Sequence, residues 1–151
     1  MTFQNYLAKT RFIATEEKSI LDELHQKIIL NGTLDGMQSR AAERSLQIMI
    51  ENLIGRCKKI LQHYDSPIIP LSGYDSAEIL KNVGFFEEEE FNAMRRLFGF
   101  RNAIVHDYMD LDRLIVKAIV EKQEYFLLFD FLTKDFSESD IIRKRLANYT
   151  F

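Results

Sequence analysis

Apolar side chains recur at three- and four-residue steps along almost thirty residues of this chain. Between about Asp35 and Tyr64 the series is Ala42, Leu46, Met49, Leu53, Cys57, Ile60 and Tyr64. A strand has a period of two, so this spacing specifies a helix with one long apolar stripe. A helix of ~30 residues is roughly 45 Å long, and a stripe of that length is stable only when neighbouring helices cover it. The chain must therefore supply partners of similar length.

It does so on both sides. The segment from about Gln4 to Leu30 places Ile13, Ile20, Leu24 and Ile28 along one face, with Glu16, Glu17 and Lys18 on the other. Asn31-Gly32 then predicts a stop and a short turn. Two long helices joined so closely should lie antiparallel. Asp65-Ser66-Pro67 ends the second helix, and Pro70 and Gly73 keep the chain irregular up to Tyr74. Asp75 and Glu78 resemble a capping box for a short helix ending near Gly84. Glu87 to Glu90 open a further helix that runs to about Asp107, their charges favoured by the positive end of the helix dipole. Asp110 is expected to cap a fifth helix with Leu111, Ile115, Ala118, Tyr125, Phe129 and Leu132 as its stripe. Ser137 and Asp140 suggest a last short helix whose end carries Arg143, Lys144 and Arg145. The expectation is an all-α, up-and-down helical bundle of four to five main helices plus short helices. The linker around Pro67–Gly73 is too short and too apolar for a boundary, so residues 1–151 read as one domain.

Composition narrows the function classes. No apolar stretch reaches the ~18 to 20 residues of a membrane span. The opening residues lack a cationic region followed by an apolar run, so no signal peptide is expected and a cytoplasmic location is the default. Cys57 is the one cysteine and falls on the apolar stripe, which reads as packing. A net charge of -3 excludes a strongly basic nucleic-acid binder, though not a local basic pocket. No Gly-rich phosphate loop, zinc spacing, HExxH or nucleophile elbow occurs, so neither a metal nor a cofactor is expected.

Chemistry is left to a short constellation. His25 and His63 read as ordinary surface or boundary residues. His106 stands in Arg101-Asn102-Ala103-Ile104-Val105-His106-Asp107-Tyr108, near the end of the fourth helix. Asn102 and His106 are four apart and share a face, and Arg95, eleven before His106, falls within ~20° of the same line. Arg101 and Tyr108, seven apart, share a neighbouring line. Arg101 and His106 differ by about 140° on an ideal helix, so a flexible side chain, a distorted helix end or a second subunit must bring them together. Imidazole exchanges protons near neutral pH, and guanidinium grips phosphate oxygens in a fork. That pair fits cleavage of RNA by its own 2′-hydroxyl: His106 handles a proton and Arg101 stabilises the anionic phosphorane. Asn102 would orient either group, and Arg95 would bind substrate.

The stretch Arg101 to Tyr108 fits Arg-x4-His-x-Tyr and resembles the signature of the HEPN superfamily, specifically its HepT toxin branch. Arg40-Ala41-Ala42-Glu43-Arg44-Ser45-Leu46-Gln47 resembles that branch's second helix. Gly84-Phe85-Phe86 and Arg95-Arg96-Leu97 resemble its approach to the motif. The likeness covers roughly residues 35 to 135. It implies a dimerising helical bundle in which Arg101 and His106 form the catalytic pair of a metal-independent ribonuclease, shared across a cleft between two protomers. It also implies a partner, an MntA-like minimal nucleotidyltransferase antitoxin, that transfers AMP onto Tyr108 and silences the toxin. The acidic run Glu87 to Glu90 on the motif helix raises a second reading. In it the chain is a catalytically inactive bundle that serves as binding or regulatory partner of the nucleotidyltransferase. RNA binding needs positive charge near the motif from Arg95, Arg96, Arg101, Lys58 or Lys59.

Overall fold

The computed structural model describes residues 2–106 and 113–150, with the backbone alone for 102–106. Seven α-helices follow one another among the described residues: α1 Phe3–Asn31, α2 Gly36–His63, α3 Gly73–Asn82, α4 Glu88–His106, α5 Arg113–Glu121, α6 Tyr125–Thr133 and α7 Asp140–Ala147. The all-α class expected from the periodicity is what the structure shows.

Local chemistry sets the helix ends. The Thr2 hydroxyl accepts from the Asn5 N–H at 3.1 Å and starts α1. Gly32, at φ 77°, closes it and donates to Ile28 O at 2.7 Å. That left-handed conformation favours a residue without Cβ. Asp35 and Gln38 form a reciprocal capping box, with bonds of 2.8 and 3.0 Å, that starts α2. The cap of α3 lies earlier than expected. Ser72 accepts from Asp75 N, so Asp75 is a first-turn residue and not the cap. The last helix shifts the other way, with Ser139 and not Ser137 as its cap.

The predicted stripe of α2 is buried at every position from Ala42 to Tyr64. On α1 the buried face is Leu7, Thr10, Ala14, Leu21, Leu24 and Ile28. Ile20, expected on that face, is exposed instead, because Leu21 occupies the core-facing line. The two helices run antiparallel: Phe3 at the start of α1 stacks on His63 at the end of α2, with ring centres 4.2 Å apart. Near that same end the Tyr6 side chain of α1 covers Gly55 of α2, where a Cβ would lie 2.6 Å from the Tyr6 hydroxyl oxygen.

The expected fifth helix is two helices. Gln123 adopts φ 55° and breaks the run between α5 and α6. The break resets the phase, so that Val116, Ile119 and Val120 of α5 and Tyr125, Leu128, Phe131 and Leu132 of α6 all reach the core. Ile115, placed on the stripe by a continuous helix, ends up exposed. Asp110 and Leu111 lie outside the described residues. α6 packs against α1 and α2, and the Tyr125 hydroxyl donates to Asp22 at 2.8 Å. α7 docks on the far end, where Tyr64 OH accepts from Ser139 N and Arg145 donates to Val83 O.

Candidate active site

Helix α4 carries the motif, and its apolar spacing explains where Arg101 sits. Phe91, Met94, Leu97 and Phe98 are buried and form the stripe facing the bundle. Arg101 follows Leu97 by four residues and Phe98 by three, so it continues the core-facing line where the stripe reaches the bundle's end. It therefore points at a neighbouring helix and not at open solvent. Its Nε donates to Glu51 Oε1 on α2 at 2.8 Å. Both side chains keep access to water, at 31% and 43% exposure for Arg101 and Glu51.

Glu51 belongs to a polar ridge beside the apolar stripe of α2. Arg40, Arg44, Gln47 and Glu51 follow at steps of four, three and four, and so stand on one face. Arg40 and Arg44 are exposed, and Arg44 Nη1 donates to Gln47 Oε1 at 3.3 Å. Positive charge thus lies within two to three helical turns of Arg101 on the adjoining helix. Arg40, Arg44 and Gln47 entered the sequence reading only in the stretch that carries the resemblance; the face they share, and Glu51 on it, were passed over. Its one signal was the regular recurrence of polar residues flanking the stripe.

The other expected residues are placed as follows. Arg95 is exposed on α4 and makes no ion pair among the described residues. The six-residue step to Arg101 turns it about 120° away, so the two do not share a line. Arg96 is paired with Glu124 at 3.8 Å. Lys58 and Lys59 are engaged elsewhere: Lys58 donates to Leu71 O, and Lys59 Nζ lies 5.5 Å from the centre of the Tyr6 ring. The α4 backbone runs through His106, about 7.5 Å beyond Arg101 along the axis. The side chains of Asn102 and His106, and all of Tyr108, lie outside the described residues.

The acidic run is far from the motif. Glu90 lies at the opposite end of α4, roughly 16 Å along the axis from Arg101. Its carboxylate accepts from Glu87 N at 3.1 Å, the backward half of a capping box. The acids therefore serve the helix start.

Two histidines expected at the surface have structural partners. His25 Nδ1 is 3.1 Å from Val120 O and ties α1 to α5. His63 pairs with Glu138 and packs among Phe3, Tyr64 and Phe136. Cys57 is fully buried, as the stripe predicted, and burial pushes its thiol up to about 12. Among the described residues, no helix is long and apolar enough to cross a membrane.

Known proteins resemble this chain. A protein of Archaeoglobus fulgidus named "Putative RNase" is 24% identical over 131 residues, covering 85% of this chain and 89% of the relative. Two solved structures share the fold. One, a toxin–antitoxin with AMP-PNP, has a TM-score of 0.73 at 18% identity, covering 94% of this chain and 99% of that one. The other is a tri-AMPylated Shewanella oneidensis HEPN toxin in complex with MNT antitoxin. It has a TM-score of 0.69 at 19% identity and covers 89% of this chain and 100% of that one. The family model described as Ribonuclease HepT-like matches residues 11–134, from the first turns of α1 to the end of α6, and the chain belongs to that HepT-like ribonuclease family.

Proposed function

We propose that this chain is a metal-independent endoribonuclease toxin, active as a homodimer and silenced by AMP on Tyr108. The observation that carries the reading is Arg101, held on the core-facing line of α4 at the start of Arg-x4-His-x-Tyr with its guanidinium still open to water. In the proposed reaction the RNA 2′-hydroxyl attacks the adjacent phosphorus, and the bond to the 5′-oxygen breaks. The products are a 2′,3′-cyclic phosphate and a 5′-hydroxyl end. His106 takes or gives the proton, and Arg101 binds the phosphoryl oxygens, whose charge grows in the phosphorane. Asn102 orients the pair, and Arg95 holds a neighbouring phosphate. Sharing the site between two protomers removes the difficulty of the 140° between Arg101 and His106 on one helix.

Silencing follows from charge. A nucleotidyltransferase of the MNT type would join the Tyr108 oxygen to the α-phosphorus of ATP, with pyrophosphate leaving and the phenolic proton lost to solvent. The AMP places a phosphodiester and an adenine where RNA must bind, and its anion pairs with Arg101. The partnership described for the Shewanella toxin supports this half of the reading.

The test is RNA cleavage by the unmodified chain in the presence of a chelator. Wild type should degrade RNA, and His106→Ala should be slower by about 10²–10⁴-fold. Intact RNA with both folded proteins refutes the reading. It favours the inactive partner instead, which would still bind the nucleotidyltransferase but would not slow growth when expressed alone.

A further inference from the structure

Arg101 is a long side chain with ~2 kcal/mol of rotamer entropy, and left to itself it samples many directions. It is not left to itself. Glu51, fifty residues earlier and on another helix, takes its Nε at 2.8 Å. We propose that Glu51 is the positioning residue of the catalytic arginine, orienting its fork towards the scissile phosphate. This rests on the ribonuclease reading above and adds a residue to it.

The geometry of guanidinium makes the assignment specific. The group offers donors along two edges, and a carboxylate on Nε fixes the plane while leaving the Nη1–Nη2 edge directed away from it. That edge can give two parallel bonds to two phosphate oxygens. An acid that competed with substrate would sit on the outer edge instead. Glu51 is itself held in place. It projects from the middle of α2, one turn beyond Gln47 and flanked by the buried Ile50 and Leu53, so its backbone is as fixed as the core. Among the described residues it is the one acid paired with Arg101. Glu51 needs no proton transfer for this role, because a neutral acceptor oxygen serves the same Nε–H. The role predicts that glutamine can replace it.

The experiment uses the unmodified full chain on total cellular RNA, followed by kinetics on an oligoribonucleotide cut from a mapped site. Glu51→Ala should lower kcat by about 10–100-fold while KM moves less than about threefold, the signature of a misaligned catalytic group. Glu51→Gln should restore most of the rate. The pH–rate profile of Glu51→Ala should keep the wild-type shape, because the missing group moves no proton. In the Arg101→Ala background, Glu51→Ala should cause no further loss. Glu51→Ser, also too short to reach Nε, serves as the second variant if the alanine protein does not fold. A Glu51→Ala enzyme as fast as wild type, or faster, overturns the proposal. So does the loss of one limb of the pH profile, which would make Glu51 a base. If wild type leaves all RNA intact, the ribonuclease reading fails and takes this proposal with it. If wild type cleaves and Glu51→Ala is unimpaired, only the proposal fails.

Discussion

Replacing Arg56 with methionine tests how the end of α6 is held. Arg56 lies on α2, is 2% exposed, and spans two elements. Its Nη1 donates to Leu132 O at 3.0 Å and its Nη2 to Lys134 O at 2.8 Å, and the guanidinium lies 5.1 Å from the Phe131 ring centre. Among the described residues Nε has no hydrogen-bond partner, and burial lowers the affinity of the whole group for its proton. The two bonds cap carbonyls that the helix cannot satisfy itself. Charge-assisted bonds contribute about 1.5–3 kcal/mol each, so the gross loss is about 3–6 kcal/mol. The variant is spared the desolvation of a cation with one orphaned donor, and methionine retains most of the aliphatic packing. The net loss should be about 3 kcal/mol. For a chain of this size that lowers the melting temperature by about 6–12 °C. Urea unfolding followed by circular dichroism reads it directly as a lower midpoint at unchanged slope. A midpoint equal to wild type would refute the reasoning: the two carbonyl bonds would merely offset the burial of charge, and Arg56 would not be what holds the end of α6.

Cys57 should be inert in the native protein. Burial holds its thiol at about 12, so iodoacetamide should label it only as fast as the chain opens, and completely in denaturant. Native labelling within minutes would refute its place in the core. The hydrogen bond from His63 holds the exposed Glu138 below the usual carboxylate range. Its contribution to stability is therefore present above the ordinary value of ~4.3 and is lost as pH falls through the lower folded value. Glu138→Gln should be slightly less stable than wild type at about pH 5.5, by less than about 1 kcal/mol, with the gap closing in acid. A gap that widens in acid refutes the pairing. If Arg95 holds a phosphate, Arg95→Ala should raise KM and make the salt dependence of RNA binding shallower by roughly one contact. An unchanged slope removes Arg95 from the site.

What could be read from the sequence was what depends on near neighbours. Ala42 to Tyr64 declared α2 because burial repeats with the helical turn, and every member of the series is buried. The Gln123 break was invisible for the same reason. Tyr125 to Leu132 is apolar on nearly every side, so no phase marks where one helix ends and another begins, and Gln123 is not a strong breaker. His63 read as surface because its partners, Phe3, Phe136 and Glu138, come from both ends of the chain. Arg101 was found through its motif. Its partner Glu51 was not, because nothing local ties a residue of α2 to one of α4. The continuation of the α4 stripe into Arg101 was the one clue that this arginine faces another helix.

That placement bears on how such a site can be switched off. A guanidinium steered by Glu51 presents one fork, suited to two oxygens of a singly charged phosphodiester. The scissile linkage of RNA is such a group, and so is the bond between AMP and a tyrosine. On the proposed mechanism, both meet the same fork. The adduct needs no pocket of its own and no change in the bundle. It needs only tethering two residues past His106, since a short link supplies an effective concentration in the millimolar range or above. An RNA phosphate arriving from solution would have to bind more tightly than that to displace it. Weakening the fork should therefore weaken substrate and inhibitor together. A Glu51→Ala protein, slow when unmodified, should show less difference between its modified and unmodified forms than wild type does.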